Sequence, residues 1–164
     1  MQALMQNAAS QLELFVNLLI ATLLGGLIGL NRQLYNRPAG LRTHALISLS
    51  AALAVAVIQQ LHPLTADAAS RVVQGVLTGI GFIGAGVIVH HERRYRVEGL
   101  TTAATIWLSA MLGLACGLGM DLVAAVGLVL ALLILTLGNW LEKRIERSHT
   151  PRPPTTLTDD EENP

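Results

Sequence analysis

An all-α integral membrane protein with five spanning helices is the fold class that this sequence of 164 residues predicts. Three observations carry the prediction. Hydrophobic residues make up 52% and charged residues only 13%, against about 25% charged in an average soluble domain. Five apolar runs, each long enough to cross a hydrocarbon core of about 30 Å, follow one another with short polar links. The third run, VVQGVLTGIGFIGAGVIV, holds Gly75, Gly79, Gly81, Gly84 and Gly86 and no charge. Glycine that dense costs a water-soluble helix about 1 kcal/mol per residue relative to alanine. In lipid the backbone must bond internally, which imposes the helix, and small residues let neighbouring backbones approach. A phosphate-cradling glycine loop is excluded, because no lysine followed by Ser or Thr completes that pattern.

The spans are expected at about 12–30, 43–61, 72–89, 100–118 and 122–141. The first is preceded by eleven residues without Lys or Arg, so it is read as a mature helix and not a secretory leader, which needs a basic start. Its Gly25 and Gly29 form a G-x-x-x-G contact face. The second follows NRQLYNRPAGLR, where Pro38 and Gly40 break the helix. In the third, at about 100° per residue, Gly75, Gly79 and Gly86 share one arc and Gly81 and Gly84 the other, which predicts a central helix with neighbours on two sides. The fourth follows HHERRYRVEG, and the fifth follows the link Gly119-Met120-Asp121.

Ten of the eleven Lys and Arg residues fall on one side of this arrangement: Arg32, Arg37 and Arg42, then Arg93, Arg94 and Arg96, then Lys143, Arg144, Arg147 and Arg152. Only Arg71 falls on the other. Basic residues in short loops mark the cytoplasmic face, which puts the N-terminus outside and the C-terminus inside. Residues 1–147 make the transmembrane domain. The remainder, 148–164, is polar and proline-rich and ends in DDEENP, the composition of a disordered cytoplasmic tail.

The chain also matches itself. GLRTHALISLSA from Gly40 and GLTTAATIWLSA from Gly99 agree at eight of twelve positions, an offset of 59 that also pairs Gly25 with Gly84 and Arg37 with Arg96. Helices one and two therefore read as a parallel repeat of helices three and four, related by an axis along the membrane normal. Helix five stands outside it.

The runs AGLRTHALISLSAAL, TGIGFIGAGVIV and GLTTAATIWLSAMLGLACGLG, in this order and with arginines in the first polar link, resemble the membrane domain of the MgtC/SapB family over about Leu12 to Leu141. The resemblance implies a bacterial inner-membrane protein associated with low magnesium, acid stress and virulence. Such proteins act as non-enzymatic modulators of other membrane machinery, ATP synthase or transport systems among it. Two departures are visible. Asn31 stands where many members carry a glutamate before the arginine, and a C-terminal soluble domain like that of the virulence-type members is not expected within these 164 residues.

Candidate chemistry is sparse. No Asp, Glu, Lys or Arg lies in the middle of any predicted span, so the usual marker of an ion or proton route is missing. His90-His91-Glu92 lacks metal-ligand spacing, no nucleophile and base can be paired, and neither metal nor cofactor is expected. Balanced charge gives no reason for nucleic acid as a partner. Cys116, the one cysteine, reads as a small packing residue. Small residues Gly113 and Gly117 join the helix-packing set. His44 and Ser48 on helix two, with Ser109 and Trp107 on helix four, form an expected polar seam of interhelical hydrogen bonds. The sharpest site lies at the starts Gly40-Leu41-Arg42-Thr43 and Gly99-Leu100-Thr101-Thr102. There unpaired N–H groups and the positive dipole ends suit an anion, Thr43, Thr101 and Thr102 can cap or donate, Arg42 adds charge, and Arg32 and Arg37 are outer attractors. The competing reading is that the threonines cap their own helices and the arginine snorkels.

The function expected is binding of a membrane protein partner in the lipid bilayer, with a homo-oligomer compatible with the glycine faces. The alternative is a small transporter or channel. The orientation is directly testable: an impermeant thiol reagent on intact cells is expected to label Asp67→Cys and to spare Arg37→Cys and Arg94→Cys. Labelling at position 94 with protection at 67 overturns it.

Overall fold

The computed structural model describes residues 1–61, 65–91 and 96–148. Of the expected tail at 148–164, Ser148 belongs to the last helix and the rest lies outside the described residues, as do Glu92 and the arginines at 93 and 94. Five helices follow in order: α1, Gln2–Leu34; α2, Leu41–Leu61; α3, Ala66–Gly86; α4, Leu100–Gly117; and α5, Asp121–Ser148. All five contain a segment long and apolar enough to cross a membrane.

Most helices run past the expected spans, and the first and third differ most. The first helix begins ten residues before the expected position 12, at Gln2, because Met1 to Gln11 is rich in Ala, Met, Gln and Leu and has neither Gly nor Pro to stop a helix. The third begins at Ala66 and ends at Gly86, not at 72 and 89. Thr65 accepts from the Ala68 N–H at 3.2 Å and Asp67 sits in the first turn, a capped and charge-matched start. Beyond Gly86 the chain forms a short antiparallel hairpin of β1, Val89–His91, and β2, Arg96–Glu98, with His90 opposite Val97. Alternation of polar and apolar residues in this link is the strand signal that a purely helical reading passes over.

In the link after α1, Asn36 and Ala39 take positive φ, 51° and 59°, on either side of Pro38. Gly40 serves for contact and not for turning: a Cβ on Gly29 would lie 2.6 Å from the Gly40 oxygen. Gly25 does the same four residues earlier against His44 and Ser48. Rising numbers on α1 thus meet falling numbers on α2, and the two form a tight antiparallel pair.

The closest approach is between α2 and α4. A Cβ on Gly113 would collide with the Ser48 backbone, and one on Gly117 would lie 2.9 Å from the Ala52 oxygen. The numbering rises together on both, so α2 and α4 run parallel with their starts at one end. Around them Ala51, Val55, Ile80, Ile106, Ala110 and Leu114 form a buried apolar cluster. Cys116 is a free, buried thiol on the same packed helix.

The glycine helix is not central within the chain. On α3 only Ile80 and Gly84 are buried, and Gly84 meets Ala103 at an ordinary 3.8 Å. Beyond the helix's own neighbouring backbone, no atom of the described residues lies within 4 Å of a Cβ built on Gly75, Gly79, Gly81 or Gly86. The expectation of close neighbours on both arcs is corrected for these four. Their spacing marks small surfaces, but a periodic pattern does not say whether another helix of the same chain covers them.

The chain divides into two compact units, Met1–Leu132 and Leu133–Pro164. In the first, α5 buries Ala124, Leu128 and Ala131. In the second, the Arg144 guanidinium lies 5.0 Å from the centre of the Trp140 ring, a cation–π contact.

Unfolding in detergent separates the two kinds of glycine. Gly113→Ala is expected to overpack the α2–α4 contact and lower stability by about 1–3 kcal/mol. Gly79→Ala should be neutral or raise stability by up to about 1 kcal/mol, since alanine is the better helix former. Equal melting of both variants contradicts this packing.

Candidate functional site

A buried polar cluster runs along the contact of α1, α2 and α4. It contains Arg32, His44, Ser48, Thr102, Thr105 and Ser109, all buried. Helical spacing makes it: Thr102, Thr105 and Ser109 stand at intervals of three and four on α4, as His44 and Ser48 stand four apart on α2, so each set occupies one face. Glycine then lets the faces close.

His44 links the helices. Its Nδ1 lies 3.0 Å from the Gly40 carbonyl oxygen and its Nε2 lies 3.2 Å from Thr105 Oγ1. A carbonyl only accepts, so Nδ1 carries hydrogen and donates. In a neutral ring Nε2 then accepts, and the Thr105 hydroxyl is its donor. The same hydroxyl also lies 2.9 Å from the Thr102 carbonyl, so one hydrogen has two acceptors in reach. Ser109 donates back to the Thr105 carbonyl at 3.0 Å. At the far end of the α2–α4 contact, Gln59 donates to the Gly117 carbonyl at 3.2 Å.

Arg32 comes from the last turn of α1 and is only 3% exposed. Its Nη2 donates to Thr102 Oγ1 at 2.9 Å, while its Nε has no partner. Buried oxygens of Asn31 and Ser48 are also unbonded. Thr102 belongs to the first turn of α4, whose N-cap residue is Gly99 at φ 93°, with no side-chain cap and no acid in that turn.

The predicted anion-site residues therefore separate. Arg32 and Thr102, far apart in sequence, are brought together; Arg37, Arg42, Thr43 and Thr101 are exposed. Their order is reversed from the sequence reading, with Arg32 inside and Arg42 outside. Thr102 does not cap its own helix, whose N-cap residue is Gly99 with no side-chain cap; its oxygen accepts from Arg32. Of the predicted seam, His44, Ser48 and Ser109 are buried together, but Trp107 is 44% exposed and lies outside it. An indole two residues from Ser109 sits roughly 200° away around a helix. Thr105, the bridge itself, was missed, although its spacing to Thr102 and Ser109 was the available signal.

Two further features bear on chemistry. Among the described residues no group of three His, Cys, Asp or Glu comes together to hold a metal. An apolar groove of about 230 Å³ lies among Leu46, Ile47, Val76, Ile80 and Ile83; its walls suit hydrocarbon and offer an ion almost nothing.

Comparison with known proteins matches these helices. The model of the MgtC family covers residues 18–144. Protein SrpB of Synechococcus elongatus is 45% identical over 135 residues, 76% of this chain and 74% of that protein. Protein MgtC of Salmonella typhimurium is 47% identical over 104 residues, and this match covers 43% of that protein's length. The protein of Escherichia coli K12 named "Putative magnesium transporter YhiD" is 39% identical over 140 residues, with 64% of its length covered. No solved structure matches the chain. A match over residues 18–144 takes in the second half of α1, all of α2, α3 and α4, most of α5 and the whole buried cluster, and the chain belongs to the MgtC family.

Proposed function

We propose that this chain works in a bacterial inner membrane as a non-enzymatic modulator that binds another integral membrane protein, in adaptation to low magnesium, acid or host stress. The observation that carries the reading is the open glycine face of α3, where Gly75, Gly79 and Gly86 meet no atom of the described chain. Such a face lets a second helix approach closely in lipid. The internal contacts support the parallel repeat on which the reading draws: Gly25 touches His44 and Gly84 touches Ala103, two pairs related by the same offset of 59. In the first half that contact is tight and in the second it is loose, so α3 stands as the less committed copy of α1. The N-outside orientation belongs to this proposal and rests on the placement of the basic residues.

Transport is the second reading, favoured by the name of the Escherichia coli relative. Against a magnesium path stands the chemistry of the interior. Magnesium takes oxygen ligands and binds through carboxylates, whereas the charged group buried among the described helices is the cation Arg32.

Purified protein in sealed liposomes, together with photocrosslinkers at Gly79 in native membranes, distinguishes the two. Modulation predicts no magnesium flux above empty vesicles and a defined crosslinked membrane protein, with ATP synthase subunits the first to look for. Flux through the purified chain alone, with no crosslinked product, refutes it.

A further inference from the structure

Arg32 is a full charge in a place that does not pay for itself. It is 3% exposed, and a charge withdrawn from water is tolerated where it is paired and fully hydrogen-bonded. One of its hydrogen bonds is described, to the Thr102 hydroxyl at 2.9 Å, and its Nε is unpartnered. The ion pair of Arg71 with Asp67 is exposed and lies at the opposite ends of the helices. Thr102 also lies in the first turn of α4, where the N-cap glycine supplies no side chain and no acid follows. A helix start of this kind carries free N–H groups and about half a positive charge. A buried guanidinium and the positive end of an 18-residue helix thus meet at Thr102, a pairing that suits an anion.

We propose that the junction of the α1 end and the α4 start is a binding site for a phosphate group. The guanidinium fork pairs two phosphate oxygens, and the first-turn N–H groups of α4 hold a third. Its depth fits the membrane surface, since Arg32 is the third residue from the end of one spanning segment, Met5–Leu34, and Thr102 is the third residue of another, Leu100–Gly117. Arg37 and Arg42 are exposed close by in sequence and attract anions toward it. The phosphate of a lipid headgroup and free inorganic phosphate share this chemistry. The site does not depend on whether the chain modulates or transports.

The test uses the full chain in a neutral maltoside detergent and follows thermal unfolding. Potassium phosphate is compared with potassium chloride at equal ionic strength, and added phosphatidylglycerol with added diacylglycerol, which lacks the phosphate. A midpoint raised by phosphatidylglycerol alone assigns the site to lipid; one raised by inorganic phosphate assigns it to free phosphate. Arg32→Lys is expected to weaken the response at least about tenfold, because ammonium cannot make the bidentate contact. Should that variant not fold, Thr101→Glu answers the question from an exposed position: a carboxylate in the first turn stabilises the helix start and competes for the site, so the response to phosphate should vanish. No rise with either phosphate source, or an undiminished response in Arg32→Lys or in Thr101→Glu, overturns the proposal.

Discussion

The parallel contact of α2 on α4 is the constraint on which the rest depends. In lipid there is no hydrophobic gain from pressing apolar helices together, so association comes from close packing and from hydrogen bonds between helices. Here both are supplied along one line. Gly113 and Gly117 let α4 meet the backbone of α2 at Ser48 and Ala52, and His44 with Thr105 bridges the interval above them. Once that line is fixed, α1 is clamped outside it by Gly25 and Gly29, and Arg32 is carried under the start of α4. Neither α3 nor its glycines enter this lock.

That asymmetry separates the two stretches that the offset of 59 aligns. Gly25 and Gly84 occupy equivalent places, but the first would put a Cβ 2.5 Å from the His44 oxygen and the second 3.8 Å from Ala103. The α1–α2 pair is closed and the α3–α4 pair is looser. An open helix that keeps small residues is poised for contact with another membrane component, and this is the basis on which modulation is preferred to transport. The buried arginine supports the same preference, because it repels the divalent cation that a transporter of magnesium would pass.

Much of this was legible in the residues. Five spans, the clamp glycines Gly25 and Gly29, the close-packing glycines Gly113 and Gly117, and the seam of His44, Ser48 and Ser109 all follow from period and size. What was not legible depends on which faces meet. Gly81 and Gly113 are alike in sequence, apolar neighbours on either side, yet one is open and the other is against backbone. Periodicity assigns residues to a face and leaves the partner of that face undetermined. Trp107 was misplaced because its angle around α4 was not weighed against that of Ser109. Arg32 was taken as an outer attractor because it ends an apolar run, where snorkelling is ordinary; its burial needed the start of α4 beside it, a contact 70 residues away.

The central claim is that His44 and Thr105 couple α2 to α4. A double-mutant cycle with His44→Ala and Thr105→Val, read by equilibrium unfolding in detergent, measures it most directly. The account predicts a coupling of about 0.5–2 kcal/mol, in the range of buried interhelical hydrogen bonds in membranes. Single-variant losses that add to within about 0.3 kcal/mol would contradict it.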